Sequence, residues 1–221
     1  MLDEKMIMMI INGIGETLYM TLLPTFLGYV IGMPLGILLT VTDKDGIRPN
    51  AVIYKVIDFI SNIFRSIPFL ILLIMLIPLT RLIVGKSYGS NAMIVSLTIA
   101  AAPYIARMVE SSLKEVDHGV IEAAQSMGAS NWTIVTKVLL TEARTSLIVN
   151  ATIVTATILG YSAMAGTVGA DGLGAIAVRY GYNRYQFDVM LVTVVILVLL
   201  VQIMQGIGMM LAWKFDRRRT S

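Results

Sequence analysis

Five long stretches almost without charge dominate this chain and limit what it can become. They cover residues 17–42, 59–80, 87–106, 145–170 and 189–213, and Arg65 alone interrupts them. A helix needs about 20 apolar residues to cross a bilayer core. Lipid offers the backbone no hydrogen-bond partners, so only helices or closed barrels cross it. Five such runs in succession predict an all-α polytopic membrane protein. With 57% hydrophobic and 14% charged residues, the chain is also too apolar for a soluble domain of 221 residues. The expected spans are about 15–42, 56–80, 87–110, 145–170 and 187–213, in one transmembrane domain over 1–221 with a cytoplasmic loop at 113–144. The opening MLDEKMIMM is acidic and leads into a run too long for a signal-peptide core, so the first span is expected to be retained.

Charge sets the expected orientation. A cytoplasmic C-terminus puts ten basic residues inside: Lys44, Arg48, Lys55, Lys114, Lys137, Arg144, Lys214, Arg217, Arg218 and Arg219. Five stay outside, namely Lys5, Arg81, Lys86, Arg179 and Arg184. The N-terminus is then outside and the 113–144 loop faces the cytoplasm.

Each span carries its own instructions. Gly28, Gly32 and Gly36 form a repeated small-residue face, and close backbone approach is how helices associate in lipid. Pro24 and Pro34 in the same run predict kinks. Arg65 is an intramembrane charge that either snorkels to the interface or serves the passage or a dimer contact, and Pro68 breaks the helix just after it. Arg107 and Glu110 form an i,i+3 pair. The fourth span, with Thr152, Thr155, Thr157, Gly160, Ser162, Gly166 and Thr167, suits a surface facing helices or a passage; its hydroxyls can also bond back to their own helix. Residues 171–174 are expected as an external loop, and the Val/Leu/Ile-rich fifth span as a lipid-facing helix.

The loop stretch VIEAAQSMGASNWTIVTKVLL has a helix–turn–helix pattern. Val120, Ile121, Ala124 and Met127 fall on one helical side, and Glu122, Gln125 and Ser126 on the other. Gly128 suits a left-handed stop, and Ser130 or Asn131 caps the next helix.

Several chemistries are excluded. There is no Cys and His118 is the one His, so neither a disulfide nor a Cys or His-cluster metal site can be built. Gly85-Lys86-Ser87 lacks the upstream Gly and the strand of a phosphate loop, so ATP hydrolysis is not expected from this chain. No carboxylate falls mid-span, which argues against ion-coupled carriage. No catalytic set and no cofactor site emerges, and a net charge of +3 spread over loops does not suit nucleic acid.

The segment with Glu122, Ala123, Ala124, Gly128, Val138 and Leu140 resembles the E-A-A loop of ABC-importer permeases, though Thr141 replaces the usual Pro. NIFRSIPFLILL, PLTRLIVG, APYIARMVE, EAAQSMGA and GYSAMAGTVGADGLG extend the likeness over nearly the whole chain, to the methionine-type ABC-importer permeases. That resemblance implies a five-span inner-membrane subunit pairing as a homodimer around a passage. It implies two cytosolic ATP-binding subunits beneath and an extracytoplasmic methionine-binding (lipo)protein above. Methionine is the implied cargo, with the D form, another amino acid or a small peptide left open. Glu122 would bond into the ATPase, Ala123 and Ala124 would allow close approach, and Gly128 would turn the elbow. Met164, beside Tyr161 and Ser162, would gate the passage.

Overall fold

The computed structural model describes residues 4–215, and these residues form helices without a strand among them. Asp3 of the acidic opening, and Arg217, Arg218 and Arg219, counted for the orientation, lie outside the described residues. Ten helices follow in order: α1 (Glu4–Thr42), α2 (Ala51–Ser66), α3 (Phe69–Met75), α4 (Ile77–Val84), α5 (Ser90–Lys114), α6 (His118–Ser126), α7 (131–142), α8 (Arg144–Ala165), α9 (173–182) and α10 (Phe187–Phe215). Residues 134–139 of α7 and 177–182 of α9 are wound as wide π turns.

By length and hydropathy α1, α5, α8 with its continuation to Val168, and α10 each suffice to cross a membrane. The second expected span differs from a straight 56–80 helix. α2 starts at Ala51, and at Ile67-Pro68 the chain bends by 103° into α3. Ile67 is extended there, at φ −79° and ψ 126°, as the residue before a proline prefers. α1 also begins earlier than expected, so Glu16 lies inside a helix and accepts a hydrogen bond from Ser90.

α5 is the central post. In its most apolar window 61% of residues are buried, against 11% in α10, which makes α10 the outer wall. α1 lies along α5 through its glycine face. A Cβ on Gly32 would stand 2.5 Å from Ala102 O, and one on Gly36 2.5 Å from Ala106 O. Gly28 faces Ala101 and Ile105 in the same seam.

Residues 171–174 are only in part a loop: Asp171 is exposed, but Gly172 opens α9 and the chain turns inward from there. Leu173, Gly174, Ala175 and Ile176 are all buried, because α9 folds back against α1 and α8. Leu173 N–H donates to Thr17 Oγ1 at 2.9 Å, and Gly174 presses on the Ala163 backbone. A side chain would not fit there.

Candidate functional site

The loop between α5 and α8 folds into an elbow. Asp117 Oδ1 caps α6 by accepting from Gly119 N–H at 2.7 Å. α6 ends where Gly128 takes φ +76°, and Ala129 N–H closes the turn on Ala124 O at 3.1 Å. Ser130 then caps α7 through Thr133 N–H.

The inner side of the elbow is fused to the bundle. Ala124, Ile134, Val135 and Leu139 are buried in one cluster with Ile105, Val109 and Leu113 of α5. Its outer side is bare. Glu122, Ala123 and Gly128 are exposed, with Met127 81% and Trp132 74% accessible. This corrects the sequence reading twice. Val120 and Met127 do not join the buried side, and Ala124 packs inward, so it is not free to approach a partner.

Beside the elbow lies a charged network that spacing alone did not reveal. Arg107 donates to Glu110 at 2.6 Å as expected, but also to Asp58 of α2 and, at 3.2 Å, to Asn62. Lys114 bonds Glu110 at 2.8 Å and Asp43, just past α1, at 2.6 Å. Tyr54 O–H reaches Glu110 at 3.4 Å. Hydrogen bonding from Lys114 holds the Asp43 carboxyl below the usual carboxylate range despite partial burial. The network thus ties α1, α2 and the elbow end of α5 into one unit. The readable hint was Asp58, a carboxylate at the border of the second apolar run, where it needs a cation.

α8 is two-sided. Thr152 packs beneath Gly208 of α10, and Gly166 abuts the backbone of Gly174 and Ala175. Thr152, Thr155 and Thr157 all bond back to carbonyls one turn earlier. On the other side Ile153, Gly160, Met164 and Thr167 are exposed with Thr157 half-exposed between them, a stripe spaced by three and four residues that none of the described residues covers. Of the three gate candidates, Met164 is 51% exposed on that stripe. Ser162 is buried and donates to Leu159 O at 2.8 Å. Tyr161 is stacked on Phe69 of α3, ring centres 4.1 Å apart. Arg65 is exposed near the α2–α3 bend, four residues before Phe69.

At the elbow end a cavity of about 460 Å³ opens between the α5–α6 turn and the α7–α8 junction, lined by Glu115, Glu142, Arg144 and Asn150. Arg144 closes it against α10, stacking 4.8 Å from the Phe215 ring and donating to Phe215 O. At the opposite end a cleft of about 770 Å³ is lined by Glu16, Lys86, Asp171 and Arg179.

A bundle of membrane-length helices with an uncovered stripe on one of them and an elbow packed into one end fits one class: a membrane transport permease. The chain belongs to the family of binding-protein-dependent transport system inner membrane components, whose model matches residues 32–217. The probable D-methionine transport system permease protein MetI of Vibrio cholerae is 47% identical over 210 residues, 95% of this chain and 93% of that protein. The D-methionine transport system permease protein MetI of Escherichia coli K12 is 52% identical over 165 residues, 75% of this chain and 76% of that one. A chain of the MetNI methionine ABC transporter, solved in inward-facing conformations, superposes with TM-score 0.96 at 50% identity, covering 97% of this chain and 100% of that one. A chain of an amino acid ABC transporter with histidines matches with TM-score 0.73 at 22% identity, a likeness of fold alone.

Proposed function

We propose that two copies of this chain form the membrane passage of an ATP-driven importer of methionine. The observation that carries this reading is the elbow, locked into the bundle on one side and bare on the other. A docking surface needs those two properties together. Glu122 offers a charge, and Met127 and Trp132 offer apolar anchors of the kind that dominate protein interfaces. The names of the relatives support methionine as cargo and a separate ATPase as the source of energy.

In this reading the N-terminus is outside and the elbow lies in the cytoplasm. ATP brings two ATPase subunits together, and each carries an elbow with it. Because the network of Arg107, Glu110 and Lys114 joins α5 to α1 and α2, the movement reaches those helices as a rigid displacement. The exposed stripes of α8 face each other across the dimer axis, where a single bundle has too little wall to enclose a path. Met164 closes this path at rest. The outer cleft lined by Glu16, Lys86, Asp171 and Arg179 receives a methionine-binding protein.

The test is uptake of L- and D-methionine into vesicles holding this chain with its ATPase, with and without ATP and binding protein. Uptake requiring both ATP and the ATPase is expected. Transport that persists without the ATPase would overturn the reading.

A further inference from the structure

We infer that Arg65 is a carboxylate subsite in the passage wall, where the α-carboxylate of an amino-acid substrate is held in transit. This rests on the permease reading above. α2 is sharply divided: Lys55, Asp58, Asn62, Arg65 and Ser66 share one sector of the helix, Val52, Val56, Phe59, Ile60 and Ile63 fill the next, and buried Ser61 lies on the other flank of the polar sector. The apolar sector suits lipid or another helix. The polar sector begins anchored, with Asp58 and Asn62 engaging Arg107 of α5. Further along the same sector the wall is open.

There Arg65 is exposed, and among the described residues no carboxylate pairs with it. Arg107 and Lys114, by contrast, each hold two carboxylates. Arg65 lies about 14 Å along the axis from residue 56, where the expected span begins, close to the middle of a hydrocarbon core of roughly 30 Å. A guanidinium at that depth must meet water or an anion. Its sector is the polar one of α2, and the chain turns away by 103° just beyond it, leaving the fork at the rim of a bend. The planar guanidinium matches a carboxylate through two parallel hydrogen bonds. A zwitterionic amino acid brings that group. Lys55, the other cation of the stripe, sits about 15 Å nearer the start of the helix.

The chain has no cysteine, so Arg65→Cys introduces a single thiol into this subunit. The assay is ATP-driven L-methionine uptake by vesicles holding the full complex with its ATPase and binding protein. Arg65→Cys should lower uptake about tenfold, the scale of one lost charge-assisted hydrogen bond. An aminoethyl methanethiosulfonate, which restores a cation, should recover most of it, and the anionic sulfonatoethyl reagent should not. Arg65→Lys should raise KM more than it lowers kcat. The subsite is overturned by wild-type uptake in the cysteine variant, by equal effects of the two reagents, or by a thiol that neither reagent reaches. It is also overturned if Arg65→Cys separates the paired subunits, which would assign Arg65 to the contact between copies. A wild-type complex that hydrolyses ATP but carries no methionine refutes the cargo itself, and the subsite with it.

Discussion

The seam between α1 and α5 allows a worked test of what holds the bundle together. Replacing both Gly32 and Gly36 by Ala adds one carbon at each site. Each carbon would lie 2.5 Å from a backbone carbonyl of α5, where ordinary contact begins near 3.4 Å. These carbonyls belong to a continuous helix and cannot swing away, so the two backbones must part by about 0.9 Å. Overpacking of this kind costs about 1–3 kcal/mol per site, and the better helix propensity of Ala returns up to about 1 kcal/mol. The two sites are one turn apart and share a single displacement, so the double variant should lose about 2–3 kcal/mol rather than a full sum. Gly15→Ala lies in the same helix but meets nothing within 4 Å, and should be neutral or slightly stabilising. Reversible unfolding in mixed detergent micelles reads all three chains. Equal stability of the double variant and Gly15→Ala would refute the claim that close approach at these glycines joins the helices.

Other outcomes follow from the elbow and its network. Glu122→Arg should cut methionine moved per ATP hydrolysed about tenfold, roughly 1.4 kcal/mol of coupling, read by parallel uptake and phosphate release. Arg107→Met strips a partner from Glu110 and Asp58; it should cost about 2–3 kcal/mol, less than a wholly buried pair because the Asp58 side chain is 31% exposed. For Asp43 the folded carboxyl lies below its ordinary 3.8, so its contribution is present above that pH and is lost as pH falls through the lowered value. Wild type should therefore exceed Asp43→Asn in stability at neutral pH, and the two should converge in strong acid.

Much of this architecture was readable because lipid makes local sequence decisive. Uncharged runs became helices, the glycine repeat became a seam, and Glu122 to Gly128 became an elbow with a left-handed stop. What escaped was non-local. Pro68 announced a break, but the 103° turn depends on how α3 packs over α5 and Tyr161. The buried return of α9 depends on Gly174 meeting the Ala163 backbone across the fold. Helical spacing paired Arg107 with Glu110, yet could not supply Asp58 from α2 or Asp43 from the turn after α1. The elbow's faces were misassigned at Val120 and Met127 because an apolar residue kept for a partner has the same periodicity as one kept for the core.

The most direct measurement places a photo-crosslinking side chain at Met127 in intact cells, with Leu82, 82% exposed on α4, as the comparison site. The account predicts an adduct between position 127 and a cytosolic ATP-binding chain, formed through the elbow, and none from position 82. An adduct from position 127 to an extracytoplasmic protein, or crosslinking to lipid alone, would contradict it.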